Sequence, residues 1–142
     1  MLVNAQTKQV LYLSRTAPGK THDKKLADEE QMVYPTGATL GKDTGFQGYE
    51  PPQVVTYQPK KKPKQRDLSA EDKFLNRIFA AVRIQVEHVI AGVKRCRIVK
   101  DTFRNTQAGF SDTVIEVACA LHNLRMAFRH PVPAFNLLDL CA

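Results

Sequence analysis

The sequence predicts an α/β or α+β fold built on a mixed sheet, and three observations predict it. Two short β-favouring runs, "LVNA" and "VLYLS", open the chain; two further strand-like runs follow a helical stretch; and two long stretches of helical periodicity close it. The first two runs are separated by "QTKQ", which reads as the polar turn of a hairpin. "TAPGK" breaks the chain, and "THDKKLADEEQMVY" reads as a helix. Thr21 is its expected N-cap, and Asp23 falls in the first turn, where the helix dipole favours an anion. "PTG" stops that helix, and "ATLGKD" follows as a strand ending at Asp43. A Gly/Pro-rich loop, "TGFQGYEPP", leads to a fourth strand in "VVTYQP". "KKKPKQRDLSAED" is a basic, proline-broken linker with Ser69 as N-cap and Asp72 at the capping-box position of a long helix reaching about Arg95. The last helix, "SDTVIEVACALHNLRMAFRH", is expected to start with Ser111 as cap and to stop at Pro131. There is no internal repeat.

Composition narrows the function classes. A chain of 142 residues is one domain at most, with 43% hydrophobic and 25% charged residues, an ordinary globular balance. Twenty-one Lys+Arg against 14 Asp+Glu give +7, an excess that favours a polyanion such as DNA without requiring one. Cys96, Cys119 and Cys141 form no Cys-x-x-Cys pair, so reduced thiols in a cytoplasmic protein are expected rather than disulfides or a zinc site. Cys119 reads as a small core residue. The N-terminus lacks a signal peptide's features, and no apolar run approaches the roughly 18 residues of a membrane span. The chain opens directly on a strand-like segment, which suggests a preceding one.

The stretch "VRIQVEHVIAGVKR" carries the sharpest chemical question. At about 100° per residue, Leu75, Ile78, Phe79, Val82, Val86, Val89, Ile90 and Val93 share an arc roughly 120° wide, the width of a core-facing stripe. Asn76, Arg83, Glu87 and Lys94 form a polar ridge along one margin of it. One reading is a solvated ion-pair ridge, in which each pair contributes about 0.2–0.5 kcal/mol. The other is a site. Asp43 favours the second, because ligands of α/β folds gather at the carboxyl ends of strands, although Asp-Thr-Gly is also ordinary turn chemistry. A strand-end aspartate and a helix-margin glutamate suit hard divalent cations, and paired Mg²⁺ ions stabilise attacking and leaving oxygens at phosphorus.

These residues are also familiar as a set. "GKDTGFQGYE" resembles the segment around the second acidic residue of DDE transposases of the insertion-sequence-five type. In "VRIQVEHVIAGVK" an arginine, three residues, a glutamate, six residues and a lysine match the pattern around their third acid. "PGKTHDKKLADEE", "NRIFAAVRIQVEHVIAGVKRCR" and "LHNLR" look like the same family, so the resemblance covers nearly the whole chain. It implies an RNase H-like nuclease fold: a mixed sheet flanked by helices, with three carboxylates holding two Mg²⁺ or Mn²⁺ ions for DNA strand cleavage and transfer. By position, Asp43 would be the second acid and Glu87 the third, both metal ligands, with Arg83 and Lys94 as accessory cations. The family's tyrosine falls at Ala80, which leaves that hydroxyl's role unfilled. Asp23 does not match the first acid and reads as a helix N-terminal anion.

The resemblance further implies that the first, central strand and its aspartate lie upstream of this chain. Residues 1–142 would then be the C-terminal part of one catalytic domain: 1–58 a sheet half with one helix, 59–70 the basic linker, and 71–142 the helical part carrying the glutamate. Unpaired edges where the sheet's middle belongs should leave the isolated chain poorly stable or rearranged. Such a truncated or frameshift-split fragment is expected to be inactive alone and to need an upstream transposase segment or a full-length transposase. The competing class is a non-catalytic basic fragment that binds DNA or transposase.

Lys60, Lys61, Lys62, Lys64 and Arg66 crowd seven positions of the linker, either as a solvated run or as salt-sensitive phosphate contacts. Tyr49 and Tyr57 suit strand and loop packing better than base stacking, and His122 suits helix packing.

Overall fold

The computed structural model describes residues 1–17, 19, 21–64 and 67–129. Its elements run β1 (Leu2–Val3), β2 (Val10–Tyr12), α1 (Asp23–Glu30), β3 (Thr39–Gly41), β4 (Val55–Tyr57), α2 (Ala70–Val93), α3 (Arg97–Lys100) and α4 (Phe110–Arg129). A 3-10 turn occupies Thr44–Phe46. The chain divides into a terminal unit, Met1–Leu13 with Gln85–Ala142, and a central unit, Ser14–Ile84, with α2 running from one into the other.

In the terminal unit β1 and β2 pair antiparallel, Leu2 opposite Tyr12 and Val3 opposite Val10. The turn between them is built by Asn4, whose side-chain oxygen accepts from the amides of Gln6 at 2.8 Å and Thr7 at 3.0 Å. Val10, Val89, Val93, Ala118 and Cys119 form the core, with Val3, Leu13, Cys96, Val99 and Ile115 around it. Two neighbours on α4 hold the hairpin there. Asn123 accepts from the Val10 amide and donates to the Val10 carbonyl, both at 2.8 Å. The backbone amide and carbonyl of Val10 are thereby both satisfied by one side chain. The His122 ring sits 2.9 Å from the Lys8 carbonyl.

In the central unit β3 and β4 pair parallel, from Thr39 opposite Val55 to Gly41 opposite Tyr57. The Lys42 amide extends that ladder to the Tyr57 carbonyl at 2.9 Å. Tyr57 packs against Phe79 of α2, ring centroids 6.0 Å apart. The Ser69 hydroxyl accepts from the Asp72 amide at 3.1 Å, the N-cap expected for α2.

Four expectations are corrected. Instead of one mixed sheet, the described residues hold two two-stranded sheets, one antiparallel and one parallel, in different units. His22, not Thr21, takes the N-cap of α1, and it makes no side-chain cap bond. Ser111 lies inside the first turn of α4, whose Thr113 amide bonds the carbonyl of Gly109, a residue at φ +74°. The apolar arc of α2 is buried only at its C-terminal end: Val89 and Val93 are buried, whereas Leu75, Ile78 and Val82 are exposed. The short α3, absent from the sequence reading, follows α2 after a turn closed by the Cys96 amide on the Val93 carbonyl. The expected stop at Pro131 lies outside the described residues.

Candidate functional site

Asp43 lies two residues past the end of β3 and opens the 3-10 turn as its N-cap. Its Oδ1 accepts from the Thr44 amide at 2.7 Å, and its carbonyl accepts from Gln58 Nε2 at 3.2 Å. The Thr44 bond orients the carboxylate and the Gln58 bond fixes the backbone behind it, while the side chain remains exposed. Arg83 of α2 brings Nη1 to 3.8 Å from Asp43 Oδ1. The two sequence-predicted residues of the central unit are thus together.

Glu87 and Lys94 fall in the terminal unit. Glu87 is exposed on α2, one helical turn after Arg83. Lys94 lies just past the end of α2, its amide still bonded to the Ile90 carbonyl. Asn76, the first member of the predicted ridge, serves another purpose. Its side chain accepts from the Lys60 amide and donates to the Lys60 carbonyl, both at 3.0 Å, clamping the basic segment to α2.

Sequence reasoning missed Lys42, the neighbour of Asp43. Lys42 is buried, with Nζ 2.6 Å from the Tyr49 carbonyl and a second bond to Glu50 Oε1. Glu50 also accepts from the Thr56 hydroxyl. The Lys42 bond first and the Thr56 bond second hold the Glu50 carboxyl below its ordinary range. Tyr49 is buried and shares a 3.2 Å hydroxyl contact with Tyr34, whose ionisation burial and that contact push upward. The loop between β3 and β4 is in this way anchored on both sides of Asp43's turn. The local sequence carried no signal for it, since inward and outward lysines look alike in "GKDTGF".

The basic segment is partly neutralised. Lys60 pairs with Asp72 and Lys62 with Asp67, each at 2.6 Å. Lys61 and Lys64 are exposed and form no ion pair with described residues. Arg66 lies outside the described residues.

Set against known proteins, residues 1–123 match a family model described as DDE superfamily endonuclease. The chain belongs to this family. It is also 29% identical over 110 residues to a probable transposase for insertion sequence element IS702 from Microchaete diplosiphon. That match covers 78% of this chain and 40% of the relative, so the chain spans well under half of the transposase it matches. No solved structure matches it significantly.

DDE superfamily endonucleases generally depend on divalent metal. Among the described residues no three His, Cys, Asp or Glu side chains converge as a metal cluster, and each unit holds one of the two expected carboxylates. No helix among them is long and apolar enough to cross a membrane. Cys96 and Cys119 are free thiols, and burial raises the Cys119 ionisation, as suits a core residue. Cys141 lies outside the described residues.

Proposed function

We propose that this chain is the part of a DDE transposase that contributes Asp43 and Glu87 as its second and third acids, and that it does not cleave DNA alone. The observation that carries this reading is the approach of Arg83 to Asp43 at the carboxyl end of β3. The arginine comes from the helix that presents Glu87 one turn later. An exposed pair at 3.8 Å contributes little to stability, on the order of 0–1 kcal/mol, so the fold does not depend on it. Its chemistry is better matched to a phosphodiester, which the guanidinium can grip as a fork while Asp43 stays oriented by Thr44 and Gln58. Lys94 would add a second cation beyond Glu87. The remaining metal ligands would come from an upstream transposase segment or a full-length transposase, with DNA ends and target as substrates in the cytoplasm.

The test is nicking of supercoiled plasmid with Mg²⁺ or Mn²⁺, beside the intact mass of the product made from the native locus. The 16.0 kDa chain is expected not to nick. A longer product should nick, and Asp43→Asn or Glu87→Gln should abolish that activity. Nicking by the 16.0 kDa chain, lost in Glu87→Gln, would refute the requirement for a partner.

Lys61 and Lys64 favour a second reading, a basic fragment that binds DNA without cutting it, because their charges are not engaged by carboxylates among the described residues. Such a fragment would tolerate Asp43→Asn and Glu87→Gln with unchanged DNA affinity and no metal dependence.

A further inference from the structure

The terminal unit contains a cleft of about 360 Å³ between the C-terminal part of α2, α4 and the β1–β2 turn. Lys8, Arg95, Arg125 and Arg129 line it together with His88 and His122, and among the described residues no aspartate or glutamate does. None of those four cations forms an ion pair among the described residues. Burial, and next the nearby charges of Arg95 and Arg129, lower the proton affinity of the Arg125 guanidinium. Like charges have been gathered around one concavity with no counter-charge among the described residues.

The cleft is built rather than incidental. Arg125 Nη2 lies 3.1 Å from His122 Nδ1. A guanidinium only donates, so Nδ1 is the acceptor, and the other nitrogen, Nε2, carries the proton given to the Lys8 carbonyl. A Cβ at Gly92 would come within 2.5 Å of that Nδ1 and 2.8 Å of Arg125 Nη2. The missing side chain is what lets ring and guanidinium lie against α2. Arg125 Nε is shielded from solvent with no acceptor among the described residues. On this half-buried guanidinium, then, Nη2 meets a neutral nitrogen and the shielded Nε meets no acceptor among the described residues, a cost that an anion in the cleft would offset.

We propose that this cleft is a phosphate-binding site, in which Arg95, Arg125 and Arg129 hold the oxygens of one phosphate group. A carboxylate would bring one charge and two oxygens to three guanidiniums. A phosphate offers more acceptors and suits their forked donors. The group could be a phosphodiester of DNA, in which case the site deepens the proposed function, or a free phosphate, in which case it is independent of it. Neither Asp43 nor Glu87 lines the cleft.

The test uses the full chain in EDTA, so that metal chemistry plays no part. Arg95→Gln with Arg129→Gln removes two exposed cations, and Arg129→Gln alone serves if the double variant does not fold. Arg77→Gln with Arg104→Gln, both exposed and outside the cleft, is the control. Affinity for a short DNA duplex is measured across salt, and unfolding is followed in inorganic phosphate and in chloride at equal ionic strength. If the ligand is DNA, the slope of log Kobs against log salt should become shallower by about 1.8 in the double variant, from two lost contacts at about 0.9 each, and less in the control. If the ligand is free phosphate, that slope should not change, and phosphate should raise the melting temperature of the unsubstituted chain but not of the cleft variant. The proposal is overturned if neither response occurs, or if the control loses as much as the cleft variant. Plasmid nicking bears on Asp43 and Glu87 alone, so either idea can fail without the other.

Discussion

Lys42 carries its charge into the interior because two acceptors meet it there, the Tyr49 carbonyl and the Glu50 carboxylate. The consequence is a pH dependence that can be given a sign. Glu50's folded pKa lies below its ordinary 4.5, so the stabilisation is fully present above pH 4.5 and is lost as pH falls through the lower folded value. A carboxyl titration followed by NMR should place the Glu50 midpoint below 4.5, and Lys42→Met should move it upward. An unmoved midpoint would dissociate the two residues. Asp43, one position along, shows the opposite economy of burial: it is exposed, held by a backbone amide and approached by Arg83. Strand-end position and the family resemblance were enough to nominate Asp43. They could not single out Lys42, because the direction of a side chain leaving a strand end depends on what the loop beyond it covers.

At the level of elements, the end of α2 and the middle of α4 were legible as helices, yet the reason for "LHN" was not. His122 and Asn123 hold a hairpin more than a hundred residues away, and such a contact leaves no periodicity behind. Removing it should be expensive. Asn123→Ala leaves both backbone groups of Val10 without their side-chain partner, a loss of about 1–3 kcal/mol measurable by urea unfolding. Gly92→Ala offers a sharper check. Helix propensity alone would stabilise it by about 1 kcal/mol, but the new methyl collides with His122, so net destabilisation is expected. A stabilised variant would show that the two helices separate readily at this point. The apolar arc of α2 taught the converse lesson. Its periodicity was read correctly as helical, but periodicity cannot say how much of a stripe finds a partner, and Leu75, Ile78 and Val82 remain exposed.

For the whole molecule, those exposed residues gain weight beside a second stripe. Val117, Leu121, Leu124 and Phe128 follow one another at four- and three-residue steps on α4, and Phe128 is 82% exposed. An exposed apolar stripe along a single helix is a liability in a monomer. The isolated chain should bind a hydrophobic dye and self-associate, as checked by light scattering on a sizing column. A sharp two-state melt of a soluble monomer would count against this. The family and the helical periods could be read from residue types and spacings, because propensity, capping and the arginine–glutamate–lysine interval are local properties of the chain. Asp43 and Glu87 could be nominated on the same local grounds. The pairing of four strands into two small sheets, the inward turn of Lys42, the clamp of Asn123 on the hairpin and the cation-lined cleft were decided only by tertiary structure. Each of them joins groups distant along the chain or turns on burial, and desolvation is a property of surroundings that no residue carries by itself.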